Sequence, residues 1–302
     1  MFVSVIICTH NRARLLRRAL HCLARQTVSA ARFEVLVVDD GSEDNTAAIC
    51  DAMQGQELPN LRYISAGGKV GLGKAANLGI RHAKGDHVLF TDDDCIAQPD
   101  WVERMSTALR QESVVAGAVS SLTSDYIKLC HNIGQFHAFM PGRKACLMEF
   151  AAGANMGARR SVLEELGGFR ELEIALDTDF ILRARSKGYR VYFASDAVVQ
   201  HDPDRNRLMT ILKYSSDHAS ATILLRNQYR LLLRTPFVLR SPLLTLLAAP
   251  LIALRVTLGI YMGNANLARL FRTAPVVYAL KLCWCWGAAR GLREWRRAGV
   301  AQ

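Results

Sequence analysis

Four short apolar runs, each followed by a stretch with helical periodicity or a charged turn, restrict the fold of this chain more than any other feature. They are Phe2 to Thr9, Phe33 to Val38, Leu61 to Ser65 and the run through Val88, Leu89 and Phe90. From about Ala13 to Arg25, Leu15, Leu16, Ala19, Leu20 and Leu23 share one helical face, and Arg14, Arg17, Arg18 and Arg25 take the other. A second helix is predicted through Ala47, Ala48 and Ile49 with Ser42 as its N-cap, and a third near Lys74 to Ala83. Strands alternating with helices at such spacings predict an α/β fold with a mostly parallel sheet and helices on both faces. Open sheets of that kind bind ligands beyond the carboxyl ends of their strands, which here gathers Thr9, Asn11, Asp39, Asp40 and Asp92 to Asp94 into one crevice.

The fourth run ends in Asp92, Asp93 and Asp94. Like charges so placed repel one another and lose solvation, which raises their pKa values unless a cation lies among them, and hard carboxylate oxygens select Mg²⁺ or Mn²⁺. Such an ion keeps one or two protein carboxylates and fills its other positions with water and substrate phosphates, so a diphosphate is the expected ligand. The plainer reading of the same residues is a solvated acidic turn ahead of a helix started by Pro99 and Asp100. The glycine-rich AGGKVGLG after the third run carries no GK[ST], and no GxGxxG follows the first. A Walker loop and a dinucleotide fingerprint are thereby excluded.

Charge divides the chain. The formal net charge is +11, yet residues from Arg205 onward hold 15 Lys or Arg against Asp217 and Glu294, a net of +13, and the preceding residues carry −2. A tail that is basic and apolar together points to an anionic membrane surface rather than nucleic acid, because aliphatic runs separate the charges. These runs are Pro242 to Leu254, Val256 to Met262, and Ala274 to Ala289, the last containing Trp284 and Trp286. A spanning helix needs about 20 apolar residues, and Arg255 interrupts the first stretch. Interfacial or re-entrant docking on the cytoplasmic side of a membrane is therefore expected, ahead of a spanning hairpin or a helical appendage. Eight cysteines without CxxC pairs read as reduced thiols, and Met1 leads directly into a strand with no visible signal peptide.

Along roughly the first two hundred residues stand, in order, VSVIICTHNR at 3–12, VVDDGS at 37–42, GLGKAANLGIRHAKGD at 71–86, FTDDDC at 90–95, GANMGARR at 153–160, GGF at 167–169 and DTDFILRARSKGYRV at 177–191. This ordered set resembles the family 2 glycosyltransferases, inverting enzymes of the Rossmann-like GT-A fold that use a nucleotide-diphospho-sugar donor and a divalent cation. The resemblance implies a catalytic domain at 1–204 and leaves 205–302 as a basic, apolar helical region. It places Thr9, Asn11, Arg12, Asp40, Gly71, Lys74, Asp92 and Asp93 at the nucleotide sugar, and Asp94 and Asp92 with His201 on Mg²⁺ or Mn²⁺. Asp177 becomes the base that takes the proton of an acceptor hydroxyl, and Asn155 and Arg160 would line the sugar and acceptor side. Leu176 stands where the family usually has a glutamate, and Cys8 and His10 where proline and tyrosine are frequent. The implied acceptor is a glycan or lipid-linked molecule of cell-surface polysaccharide or glycolipid synthesis. The rival readings are a polyprenyl-phosphate glycosyltransferase, a nucleotidyltransferase and a non-catalytic scaffold of the same fold.

Overall fold

The computed structural model describes residues 2–121 and 123–297. The chain forms two compact units, residues 1–122 with 143–202, and residues 123–142 with 203–302. In the first unit β1 (Val3–Thr9), α1 (Ala13–Ala24), β2 (Phe33–Asp39), α2 (Thr46–Gln56), β3 (Leu61–Ser65), α3 (Leu72–His82) and β4 (His87–Thr91) alternate as the periodicity predicts. The chain continues through β5 (Cys95–Ala97), α4 (Trp101–Gln111) and β6 (Val114–Ser121), then contributes α5 (Tyr126–Phe136) to the second unit. It returns as β7 (Cys146–Met148), β8 (Asn155–Arg159), α6 (Arg160–Glu165), α7 (Leu176–Ser186) and β9 (Val191–His201).

The strand order is β3-β2-β1-β4-β8-β6-β9-β5, with β7 also paired to β9. Strands β1 to β4 pair in parallel, and β6 pairs in parallel with β9. β8 runs antiparallel to β4 and β6, and β5 and β7 run antiparallel to β9. The expectation of a mostly parallel sheet thus holds for its first half. Parallel neighbours need a crossover, and the strand-helix-strand alternation that supplies it in sequence stops at β4. β2 and β4 are buried along their whole length and β1 nearly so, which is why they read as continuous apolar runs rather than alternating ones.

Ser42 is not the cap of α2, as the sequence had suggested. That helix starts at Thr46, and Asp44 serves instead, accepting the Thr46 N–H at 3.1 Å and, from the start of α1, the Ala13 N–H at 2.9 Å. One carboxylate satisfies otherwise orphaned amides of two helices and locks the β1–α1 and β2–α2 turns together.

The second unit adds α8 (Leu208–Gln228), α9 (Pro242–Leu247), α10 (Ala249–Met262), α11 (Ala265–Ala268) and α12 (Ala274–Arg297) to α5. α12 is its core helix. A Cβ at Gly287 or Gly291 would collide with the backbone of Ser216 or Ser220, so these glycines let α12 and α8 approach closely. Val277, Leu280, Cys285, Ala288 and Leu292 are buried, and Trp284 packs on the α8–α12 cluster while Trp286 is exposed. The run Ala274 to Ala289 therefore lies largely against protein, and the two tryptophans do not form a joint apolar face. The Pro242 to Met262 run breaks at Ala248, and no described helix is long and apolar enough to cross a membrane.

Candidate active site

The turn after β1 reaches into the acidic cluster after β4. The Thr9 hydroxyl donates to Asp93 at 2.8 Å. Asn11 takes the left-handed region at φ 53°, where its backbone N–H donates to Ser42 Oγ and its side-chain oxygen accepts the Glu43 N–H, both at 2.8 Å. That turn aims Arg12 at two carboxylates, with Nη1 2.6 Å from Asp93 and Nη2 2.6 Å from Asp94. Burial acts to lower the pKa of the guanidinium, but Asp94 and Asp93 outweigh it and the net shift is upward.

Asp92 is exposed beside this pair. Its carboxyl is pushed up to about 8, first by desolvation and then by Asp94 and Asp93, with Arg12 opposing and Asp177 adding to the rise. Because the side chain is open to solvent, repulsion is the cause that its position supports directly, and a cation among the carboxylates would reverse it. Ligand atoms of Asp92, Asp94 and Cys95 lie within 4.8 Å of one another, and His201 Nε2 stands 3.4 Å from Asp94 Oδ1. The pairing of Cys95 with His201, and an Asp202 N–H donated to the Asp94 carbonyl at 3.0 Å, hold the strands in the register that makes this approach. Hard oxygens with an imidazole suit Mg²⁺ or Mn²⁺. The Cys95 thiol, raised well above its ordinary value by burial and then by Asp94 and Asp92, is a poor ligand for such an ion. The carboxylates of Asp92 and Asp94 therefore fit a divalent cation, with His201 beside Asp94 as the neighbouring imidazole.

Asp177 enters from the first turn of α7, preceded by Ala175 at φ 65°. Its Oδ2 accepts the Gly153 N–H at 2.8 Å and its Oδ1 the Thr178 N–H at 2.7 Å. Its charge contributes to the raised pKa of Asp92. On the other flank, Asp40 Oδ1 accepts the Val70 and Gly71 N–H groups at 2.6 and 3.0 Å, and thereby organises the glycine-rich loop. Gly71 adopts φ 92°, a conformation that favours glycine. Lys74 is exposed and only 3.4 Å from exposed Glu171, a pair of little energetic weight.

The model of glycosyl transferase family 2 matches residues 4–167, more than half of the chain. The chain belongs to glycosyl transferase family 2. A second model, glycosyl transferase family group 2, matches residues 87–290. Glycosyltransferase AglE of Haloferax volcanii is 29% identical over 203 residues, covering 66% of this chain and 66% of its own length. The chain spans between about half and two thirds of the length of curated relatives that it matches. Among solved structures, the mannosyltransferase PcManGT from Pyrobaculum calidifontis, in complex with GDP-Man and Mn²⁺, aligns with a TM-score of 0.59 at 19% identity, over 99% of this chain and 76% of its own. TarS 1–349 of S. aureus in complex with UDP aligns with a TM-score of 0.54 at 21% identity, over 72% of this chain and 65% of its own. These likenesses show the GT-A fold.

Within this family 2 chain, two residues expected on the sugar and acceptor side have structural duties instead. Asn155 is buried, donates to the Ala118 and Ala197 carbonyls at 2.8 and 2.9 Å, and accepts the Trp101 indole N–H at 2.9 Å. It fills the bulge where the β6–β9 register slips between Gly117 and Ala118. Arg160 donates to the Gly85 and Ala83 carbonyls, ahead of β4 and therefore at the end of the sheet away from the acidic cluster. The motif at 177–191 holds a further acidic residue, Asp179. It is fully buried between Arg183 at 2.7 Å and Arg170 at 3.1 Å, and Arg183 also donates to the Leu166 and Gly168 carbonyls. This fixes the GGF turn, whose Phe169 packs edge-on against Phe90. Its i,i+4 spacing to Arg183 was the available signal.

Proposed function

We propose that this chain transfers a sugar from a nucleotide-diphosphate donor to a hydroxyl of a glycan or lipid-linked acceptor, with inversion at the anomeric carbon. The proposed setting is cell-surface polysaccharide or glycolipid synthesis at an anionic membrane surface, on its cytoplasmic side. The observation that carries the catalytic reading is the cluster of Asp92 and Asp94 after β4, with His201 at the end of β9 standing 3.4 Å from Asp94, and the charge of Asp177 from α7 acting on Asp92. The GDP-Man and Mn²⁺ of PcManGT and the UDP of TarS support a nucleotide-sugar donor and a divalent ion.

When bound by Asp94 and Asp92 with His201, a divalent ion would supply positive charge against the diphosphate that departs. Arg12 adds a fixed cation on the same side. Thr9, Asn11 and Asp40 hold the turns bordering the nucleotide, through their bonds to Asp93, to the β2–α2 turn and to the amides of Val70 and Gly71. Asp177, oriented by the Gly153 N–H, accepts the proton of the attacking hydroxyl on its carboxylate.

The test measures nucleoside-diphosphate release across a panel of donors with membrane extract as acceptor, alongside calorimetric titration of Mn²⁺ and donor. Asp94→Asn should abolish most Mn²⁺ binding and turnover, and chelator should mimic it in the unchanged protein. Asp177→Asn should keep donor affinity while transfer falls about 10²–10⁴-fold. Inorganic pyrophosphate as the product would make the chain a nucleotidyltransferase. Full transfer in Asp177→Asn would point to a phosphate acceptor that needs no base.

A further inference from the structure

The α9–α10 segment is inside out for a helix of a water-facing surface. Along most of its length the inward positions are small or polar, with Thr245, Ala249, Ala253 and Thr257 buried, and only at its end do Ile260 and Tyr261 pack into the core of the unit. The outward positions carry the bulk: Leu243, Leu247, Leu251, Leu254, Leu258 and Met262 are exposed, Leu247 at 70%, Leu251 at 72% and Met262 at 83%. They recur at spacings of three and four, Leu243 and Leu247 on α9 and the other four on α10, so that each helix turns a leucine-rich side outward. A stripe of that composition is too large to be a scatter of incidental surface leucines.

The charge around it selects the occupant. From Arg230 to Arg297 the chain has 11 Lys or Arg and a single acid, Glu294, and although Lys281 is turned inward onto the Gly134 carbonyl and Arg290 pairs with Asp217, the remaining nine keep this stretch strongly cationic. Arg255 lies exposed on α10 itself and makes no ion pair among the described residues. Pairing with a second copy would set this cationic surface against itself, a repulsive arrangement. An anionic bilayer offers the complement on both counts, acyl chains for the leucines and phosphates for the arginines. With no described helix able to span, the segment lies along the surface.

We propose that the outward stripe of α9 and α10 is the face by which this chain docks on an anionic lipid surface, with Leu247 and Leu251 at its centre and Arg255 at the headgroup level. The inference rests on the reading that the chain works at such a surface and assigns the residues that hold it there. Its test is flotation of the full chain with vesicles of pure phosphatidylcholine and with vesicles in which phosphatidylglycerol replaces one third of it. The unchanged protein should float with the anionic vesicles at low salt and be only partly released by high salt, since the apolar contribution is not screened. Leu247→Glu with Leu251→Glu should lower the bound fraction about tenfold or more, while circular dichroism and Mn²⁺ titration remain those of the unchanged protein. Both side chains point to solvent, so the fold tolerates the change. Flotation that persists undiminished in this variant would overturn the stripe and leave the membrane reading standing. A full chain that stays in the soluble fraction would overturn both. Sedimentation of a dimer that the same variant dissolves, without vesicle binding, would assign the stripe to a second copy instead.

Discussion

Arg12 neutralises two carboxylates that would otherwise repel each other inside a nearly dry cluster, their side chains being only 3% exposed. Losing one member of a buried pair costs about 3–5 kcal/mol, and the one-third exposure of Arg12 reduces that to roughly 1–3 kcal/mol. Arg12→Gln should therefore lower the melting temperature in chelator, and Mn²⁺ should restore more stability to this variant than to the unchanged protein because the ion replaces the missing charge. Equal recovery in both proteins would mean that Arg12 and the ion do not compensate the same carboxylates. The sequence singled out Arg12 for the nucleotide side, but not its partners, because the contact spans some eighty residues and depends on the left-handed turn at Asn11.

Single residues also hold whole elements in place. Asn155 makes three hydrogen bonds that join β6, β9 and α4, and removing them in Asn155→Ala strands buried carbonyls and an indole N–H. Each group left unsatisfied costs about 1–3 kcal/mol, so urea unfolding should show a loss of roughly 3 kcal/mol or more in the first unit. A loss below about 1 kcal/mol would remove Asn155 from this structural role. In the second unit Gly287 is the matching position, since a side chain there meets the Ser216 backbone. Gly287→Val should cost about 1–3 kcal/mol through overpacking and loosen α12 from α8, visible as faster amide exchange in both helices. Neither position could be recognised from periodicity, because both depend on which elements become neighbours.

At the scale of the whole molecule, α12 changes how the basic tail can be studied. Removing everything after Arg240 would strip α12 from α8 and expose the core of the second unit, so substitutions on the exposed stripe are the sound test of docking. The same helix carries Lys281, whose ammonium donates to the Gly134 carbonyl at 2.7 Å and whose pKa desolvation pulls down to about 8. An unfolded lysine holds its proton to about 10.4, so between about 8 and 10.4 the unfolded chain binds more protons and this group makes stability rise with pH. Below about 8 the desolvated charge is a constant burden. The Cys285 thiol, held up to about 11 by burial, acts in the opposite sense at the upper end. Chemical unfolding at several pH values should show that Lys281→Met lacks the rise that the unchanged protein gains from this lysine. Parallel pH profiles for the two proteins would contradict the shift.

What the sequence determined by itself was local or ordered along the chain: the first four strands and three helices, the carboxylates at their ends, and the family motifs that marked Asp92, Asp94, Asp177 and His201. Apolar periodicity and motif order are properties of neighbours in sequence, and they survive without a structure. Tertiary structure alone decided the antiparallel half of the sheet, where the strand-helix alternation ends, and the duties of Asn155, Arg160 and Asp179, whose partners lie in other elements. It also divided the apolar tail. Composition made Pro242 to Met262 and Ala274 to Ala289 look alike, but burial follows from which side meets a neighbour, and only α9–α10 turns its leucines outward while α12 turns its apolar side into the core.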